Sequence, residues 1–367
     1  MTFMISSAGE IALSILVAIV ALMVMIMVHE SGHYLLGKAL KFKINEFSIG
    51  FGPQLFSRKS NKTGEVFSIR AIPLGGFCAF EGEDAESTVE GSFNSQKPWK
   101  RIVVLLAGVT FNFISAVIIL TILFATYGYT LPKIVSLNTP VDSAFEQNFE
   151  EGDLIYQVNG KNVYSVIQTN ISTLLGGADE TAEVVVIRNG EKKTVTVTKD
   201  EFESKNVDTE GNETDSRYHG FGINIGYDYY RMGFFEALGR SFIFIWQLII
   251  LTFKTIGGLF TGAVGLKGSV GGTVTSVAAM GKVTMALGFR GVLLMFGIMS
   301  ASVALMNALP FPALDGCRVI FVLIEMIFRK PVNRKVEAII HTVGIVILFA
   351  FAILCDILNL GTIASLF

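Results

Sequence analysis

From Ile11 to Val28 the chain carries one polar side chain, Ser14. A run of that length is enough to cross a bilayer as a helix. Ile102 to about Tyr127 reads as a second spanning helix, anchored by Lys100 and Arg101. A third starts at Gly291, runs to Leu309, breaks at Pro310-Phe311-Pro312 and resumes through Leu314-Asp315-Gly316 to Phe328. Prolines remove donors from the helix ladder, and irregular backbone at membrane depth is tolerated only where protein or a wet cavity covers it. Ala338 to Cys355 reads as the last span. Phe234 to Phe253 is apolar but interrupted by Glu236, Arg240 and Gln247, and reads as an amphipathic helix at the interface. Gly262 to Gly272 reads as a flexible glycine-rich connection.

Between the first two runs the pattern changes. Glu46 to Phe51 and Val66 to Ile72 have strand composition around the turn-rich Ser60-Asn61-Lys62-Thr63-Gly64, which predicts a hairpin over about 44–80. Phe67, Ile69 and Ala71 share one face of the second strand, with Ser68 and Arg70 on the other. Gly50, Phe51, Gly52, Gly75, Gly76, Phe77 and Phe80 make this loop unusually apolar. It fits a hairpin that dips into the membrane, with a free edge able to hold an extended peptide by strand addition. It fits equally a surface hairpin that touches the bilayer. Glu81-Gly82-Glu83-Asp84 reads as a solvated acidic loop.

From 131 to 228 short apolar segments alternate with turn signals and charges are frequent, the pattern of an α/β or mostly-β soluble domain of about a hundred residues. Glu183–Ile187 and Thr194–Val197 flank Asn189-Gly190, a strong hairpin signal. Asp200 to Arg217 is acidic and polar, and reads as a mobile loop.

Composition supports a polytopic membrane protein: 51% of residues are hydrophobic, 16% charged, and the mean hydropathy is +0.56. A net charge of −2 gives no electrostatic case for nucleic acid. Cys78, Cys317 and Cys355 are too few and too scattered for a disulfide framework or a cysteine zinc ribbon. The N-terminus lacks a basic region and a small-residue cleavage site, so its apolar run reads as a retained helix. No Lys or Arg precedes Lys38 or follows Lys335, whereas ten fall between Lys38 and Arg101. That asymmetry places the 38–101 loop in the cytoplasm, and both chain ends and the 131–228 domain outside. The same rule argues against a span at 234–253, which would put Arg329 to Lys335 outside.

Candidate chemistry begins where the first run ends, at His29-Glu30-Ser31-Gly32-His33. If the helix continues, the two imidazoles project from one face. With Glu30 beside the first, they form the H-E-x-x-H pattern, in which two His hold zinc and the Glu activates the attacking water. The same residues also fit a helix that simply emerges into water at His29. Asp315, at the proline break, is a functional candidate because a carboxylate at membrane depth is costly. Together His29, His33 and Asp315 supply a His₂Asp set that leaves one zinc position open, the catalytic arrangement. Glu30 is then the general base. Asn112, inside the second span, fits interhelical packing or a place facing the centre. Asn307 fits a hydrogen bond to substrate or a cap on the broken helix. His341 reads as a packed or interfacial residue.

These motifs resemble the site-2 proteases, and among them most nearly the bacterial regulator of sigma-E protease (RseP) type. His29 to His33 fits HExGH, and Asn307-Ala308-Leu309-Pro310-Phe311-Pro312-Ala313-Leu314-Asp315-Gly316 fits N-x-x-P-x-P-x-L-D-G. Gly152-Asp153-Leu154-Ile155-Tyr156-Gln157-Val158-Asn159-Gly160 is similar to the core of a PDZ domain, and His219-Gly220-Phe221-Gly222-Ile223 to its carboxylate-binding loop. There are departures: Cys317 stands where relatives have a second Gly, Ala107-Gly108-Val109 lacks a following proline, and Gly268-Ser269-Val270-Gly271 lacks the usual S-G-P. Cys317 raises the question of thiolate ligation, although a small buried Cys is the better fit.

The resemblance implies a polytopic α-helical membrane protein of about four spanning helices, one broken, with a membrane-associated β-hairpin and one inserted extracytoplasmic PDZ-like domain. Its parts would be 1–128, 129–230 and 231–367. It implies a zinc endopeptidase of the bacterial inner membrane that cuts transmembrane segments of single-span proteins, such as anti-sigma factors or remnant signal peptides. His29, His33 and Asp315 become the ligands of one Zn²⁺, and Glu30 the base, near the cytoplasmic side. Asn307, Pro310, Pro312, Phe67, Ile69 and Asn112 become candidates for holding substrate. The lipid bilayer and, at the PDZ-like domain, peptide C-termini are the remaining partners. Two other classes compete. A non-catalytic PDZ-bearing receptor or scaffold would not need both Glu30 and Asp315. A metal transporter would favour ligands along a path and an internal repeat, and neither is seen.

Overall fold

A computed structural model describes residues 8–83, 87–142, 145–146, 148–163, 175, 177–207 and 213–361. The chain forms two compact units, Met1–Ile122 with Leu238–Phe367, and Leu123–Ala237.

In the first unit, helix α1 (Ala8–Ala39) continues unbroken through the HESGH stretch. Strands β1 (Ile44–Lys59) and β2 (Val66–Phe80) follow, then a 3₁₀ turn at Phe93–Ser95 and helix α2 (Pro98–Thr126), which runs on into the second unit. Gly32 lets α1 and α2 touch, since a Cβ there would lie 2.5 Å from the Ala107 carbonyl oxygen. The chain re-enters this unit in α3 (Phe234–Thr261) and continues through α4 (Thr273–Leu287), α5 (Phe289–Ala308), α6 (Asp315–Phe328) and α7 (Arg334–Leu358). Small polar side chains join these helices: Ser300 donates to the Asn112 carbonyl at 3.0 Å, Ser115 meets Ser300 at 2.8 Å, and Thr121 meets Ser241 at 2.8 Å.

The helices differ from the reading of apolar runs in number and length. Among the described residues five helices, α1, α2, α3, α5 and α7, are long and apolar enough to cross a membrane, where four were expected. The fifth is α3, whose helix extends eight residues past Phe253 to Thr261; Lys254 and the Gly257-Gly258 pair hid that extension. Helix α4 has no counterpart in the reading of apolar runs, because Gly281, Lys282 and its threonines interrupt the pattern.

The hairpin is longer than its alternating residues suggest. β1 and β2 pair antiparallel across the 60–64 turn, Lys59 with Val66 and Phe56 with Ile69. Positive φ at Gly50, Gly52 and Gly75 lets both strands fold back on themselves. The 44–49 stretch thus has 76–80 on one side, with Phe47 opposite Cys78, and 66–69 on the other, with Phe47 opposite Phe67. Two strands therefore give a sheet of four segments, ordered 76–80, 44–49, 66–70, 54–59. Phe51, Leu55, Phe56, Phe67, Ile69 and Ile72 remain exposed on it.

The second unit holds β3 (Tyr129–Leu137), β4 (Leu154–Val158), β5 (Lys161–Asn162), β6 (Thr181–Arg188), β7 (Glu191–Thr198), β8 (Asp200–Val207), β9 (Glu213–Gly220) and β10 (Ile223–Tyr230). Its main sheet runs β10-β3-β4-β6-β7, with β5 beside β4. Asn189 and Gly190 both have positive φ, as a two-residue hairpin turn between β6 and β7 requires. Ile134, Phe149, Ile155, Val184, Val186 and Phe221 are among its core. Arg188 grips the buried Asp153 with two bonds, at 2.8 and 2.7 Å. The expected loop over 200–217 is instead the β8–β9 hairpin, with residues 208–212 outside the described ones. Backbone pairing from Asp200–Gly220 to Val207–Glu213 makes strands of a polar sequence, and Phe202, fully buried against Tyr218 and Phe145, anchors them.

Candidate metal centre

His29 and His33 lie one turn apart on α1 and are both buried. Asp315 is the first residue of α6, placed by the proline break. There Leu309 leaves helical geometry, Ala313 takes φ +84°, and its N–H donates to His341 Nδ1 at 3.0 Å. The two Nε2 atoms are 3.2 Å apart, and Asp315 Oδ2 lies 3.1 Å from that of His29 and 3.4 Å from that of His33. All three ligand atoms fall within 4.8 Å of one another.

The outer ring nitrogens show what the inner ones do. His33 Nδ1 sits 2.8 Å from the Val104 carbonyl oxygen, which can only accept, so Nδ1 carries the proton and Nε2 a lone pair. His29 Nδ1 faces the amide nitrogen of the fully buried Asn112 at 3.4 Å, and Asn112 Oδ1 has no hydrogen bond. Exchanging the oxygen and nitrogen of that amide brings the unpartnered Oδ1 onto His29 Nδ1, which then donates too. Two lone pairs and a carboxylate oxygen then face one another with no proton between them. Such an acceptor-only cluster fits a bound cation, and imidazole plus carboxylate suits zinc.

Glu30 is half-buried beside the cluster, close enough to interact electrostatically with all three residues. The backbone N–H of Cys78 lies close enough to favour its carboxylate charge. A Cβ on Gly76 would lie 3.8 Å from Glu30 Cγ. The sheet segment beside Glu30 is therefore the 76–80 edge. Phe67 and Ile69, the expected substrate contacts, lie in an inner segment instead, and Phe67 stacks edge-on with Tyr34 at 5.8 Å. The reason is the double fold of the hairpin, which puts the second half of β2 outermost.

Asn112 is brought to the centre, as a partner of His29. Asn307 is half-buried in the last turn of α5, and among the described residues no hydrogen bond joins its side chain to the ligands. Pro310 is exposed. Pro312 packs under α7, where a Cβ on Gly344 would come within 2.4 Å of its own Cβ. Cys317 is buried outside the cluster of ligands. Glu83 does not lie in a merely solvated loop: it pairs with Arg318 on α6, while Asp84 lies outside the described residues. Sequence reasoning missed the Val104 carbonyl, which no side-chain pattern reveals, and Gly108. A Cβ at Gly108 would lie 2.4 Å from His33 Nε2 and 2.6 Å from His29 Cε1. The departure noted at Ala107-Gly108-Val109 was the one signal of it.

Membrane-length helices that converge on a His₂Asp cluster with an adjacent Glu define a membrane metallopeptidase. The chain belongs to peptidase family M50, the site-2 protease family, whose profile matches residues 17–351. It is 33% identical over 352 residues to Putative zinc metalloprotease FN1322 of Fusobacterium nucleatum, covering 94% of this chain and 98% of that protein. Putative zinc metalloprotease CPE1693 of Clostridium perfringens is 30% identical over 344 residues, 94% of this chain and 97% of its own. Putative zinc metalloprotease mll0638 of Mesorhizobium japonicum is 29% identical over 350 residues, covering 90% of this chain and 94% of that protein.

Proposed function

We propose that this zinc metalloprotease hydrolyses peptide bonds inside the transmembrane segments of single-span membrane proteins, in the manner of the RseP type with one PDZ-like domain. The observation that carries the reading is the convergence of His29, His33 and Asp315 within 4.8 Å, with Glu30 beside them and next to a free sheet edge. His29, His33 and Asp315 would hold Zn²⁺, which would supply Lewis acidity toward the scissile carbonyl. Glu30 takes a proton from the attacking water and returns it to the leaving amine. Val104 and Asn112 hold the two imidazoles in the tautomers that turn their lone pairs inward.

A helical substrate shields its own peptide bonds, so it must unwind before it is cut. The 76–80 edge can hold the unwound stretch by strand addition, which places it beside Glu30. The exposed apolar side chains of the sheet support its contact with the bilayer. The positive-charge asymmetry supports a bacterial inner-membrane protein with the centre toward the cytoplasm, and with the second unit and both ends outside. Glu236, Arg240 and Gln247 support an interfacial α3. In the second unit, β10 is a sheet edge that starts right after the Phe221-Gly222 turn, which suits capture of a peptide C-terminus or exclusion of bulky ectodomains.

The test is to map the cut. Purified protein in detergent is given a single-span test substrate, and the products are read by mass spectrometry. Cleavage inside the apolar stretch is expected; cleavage confined to the soluble tails would overturn the reading.

A further inference from the structure

Two structures that flank the catalytic residues come from distant parts of the chain. One is the 76–80 sheet edge, whose Gly76 packs beside Glu30, a Cβ there lying 3.8 Å from Glu30 Cγ. The other is the first turn of α6, which carries Asp315. An ion pair between Glu83 and Arg318 joins them. Glu83 is fixed to the end of the edge: its Oε2 accepts the N–H of Phe80, the last residue of β2, at 3.3 Å. The Asn94 amide donates to the carbonyls of Gly82 and Glu83 and pins the same turn. Arg318 lies three residues after Asp315, about one helical turn, so the two shift together.

The far end of α6 is held differently. Glu325 takes Arg101 at 2.8 Å, and the Arg101 side chain is only 2% exposed. Arg334 reaches Glu325 as well, at 3.5 Å. The Glu83–Arg318 pair is the wetter anchor, with side chains 16% and 29% exposed. Behind it lies a cavity of about 210 Å³, lined by both partners and by Arg101, Arg334, Glu337 and His341. Glu337, on the wall of the same cavity, is paired with Arg334 at 2.8 Å.

We propose that Glu83 and Arg318 form a positioning latch that sets the gap between the 76–80 edge and the first turn of α6, and so governs entry of the substrate strand. This rests on the strand-addition reading above. Neither residue touches the reacting atoms. Their loss acts on substrate binding rather than on the chemical step, and the pair matters as a pair rather than as two charges.

The test uses the full chain in detergent and one probe, a fluorescein-labelled single-span peptide. Binding is measured in a Glu30→Gln background, and cleavage in the wild-type background. Arg318→Met and Glu83→Gln are each expected to weaken binding about fivefold or more. The same changes should raise KM with kcat within about twofold and zinc still at one per chain. The exchanged pair Glu83→Arg with Arg318→Glu is expected to restore binding to within about twofold. Unchanged binding in both single variants would overturn the proposal, as would an exchange that restores nothing or a loss confined to kcat. Failure of the proteolytic reading looks different: wild type that holds zinc and binds the peptide but never cuts it. A Glu30→Gln chain that does not bind the peptide at all overturns both.

Discussion

At the scale of single residues the centre depends on groups that are not ligands. Gly108 leaves room for both imidazoles, and a methyl there would overlap His33 Nε2 and His29 Cε1. Gly108→Ala is therefore expected to lower bound zinc well below one per chain while helical content is kept; full zinc occupancy would contradict the packing. Asn112→Leu removes the acceptor for His29 Nδ1 and should weaken metal affinity about 10–100-fold, measured by competition with a chelator. The pairing of His29 and His33 was legible because helical spacing alone puts positions 29 and 33 on one face. Asp315 was legible because two prolines mark a break that must be covered. Gly108 and the Val104 carbonyl were not, since both act through the approach of α2 to α1, and no local pattern encodes that distance.

At the scale of elements the sheet's double fold decides which edge meets Glu30. Alternation over 46–51 and 66–72 revealed that a hairpin exists, but the fold-back depends on glycines at 50, 52 and 75, so which half of β2 forms the edge was not legible. Strands β8 and β9 escaped for another reason: their stability comes from backbone pairing and one buried Phe202, not from an apolar face. Within the first sheet, partial burial works against the Glu46 charge. The Ser68 hydroxyl at 2.5 Å and the Arg70 guanidinium at 2.8 Å outweigh it and hold the Glu46 carboxyl below the usual carboxylate range. A carboxyl lowered on folding stabilises the fold above its unfolded value, near 4.3, and loses that contribution as pH falls through the folded value. The thermal midpoint of wild type is thus expected to fall more steeply between about pH 5 and pH 3 than that of Glu46→Gln. Parallel curves would show that the Glu46 contacts do not stabilise the sheet.

At the scale of the whole molecule, the charge asymmetry and the length of α3 point in different directions. By length α3 can cross a membrane, whereas a crossing would carry Arg329 to Lys335 to the outside. A cysteine at Thr261, in a chain stripped of its three native cysteines, is expected to react with an impermeant thiol reagent added outside intact cells. Labelling only after the membrane is opened would make α3 a span. Division into a helical unit and a β-rich one was legible from the change of pattern near residue 130. The helix α4 was not, because its apolar residues are too diluted to stand out. The central claim, that the three converging residues hold a catalytic zinc and that Glu30 is the base, is tested most directly by comparing wild type with Glu30→Gln. Zinc content and cleavage of a single-span substrate are read on the same purified samples. Both proteins are expected to hold about one zinc, with cleavage by the variant at least about 10²-fold slower. A Glu30→Gln protein that cuts as fast as wild type, or a zinc-free wild type that still cuts, would contradict it.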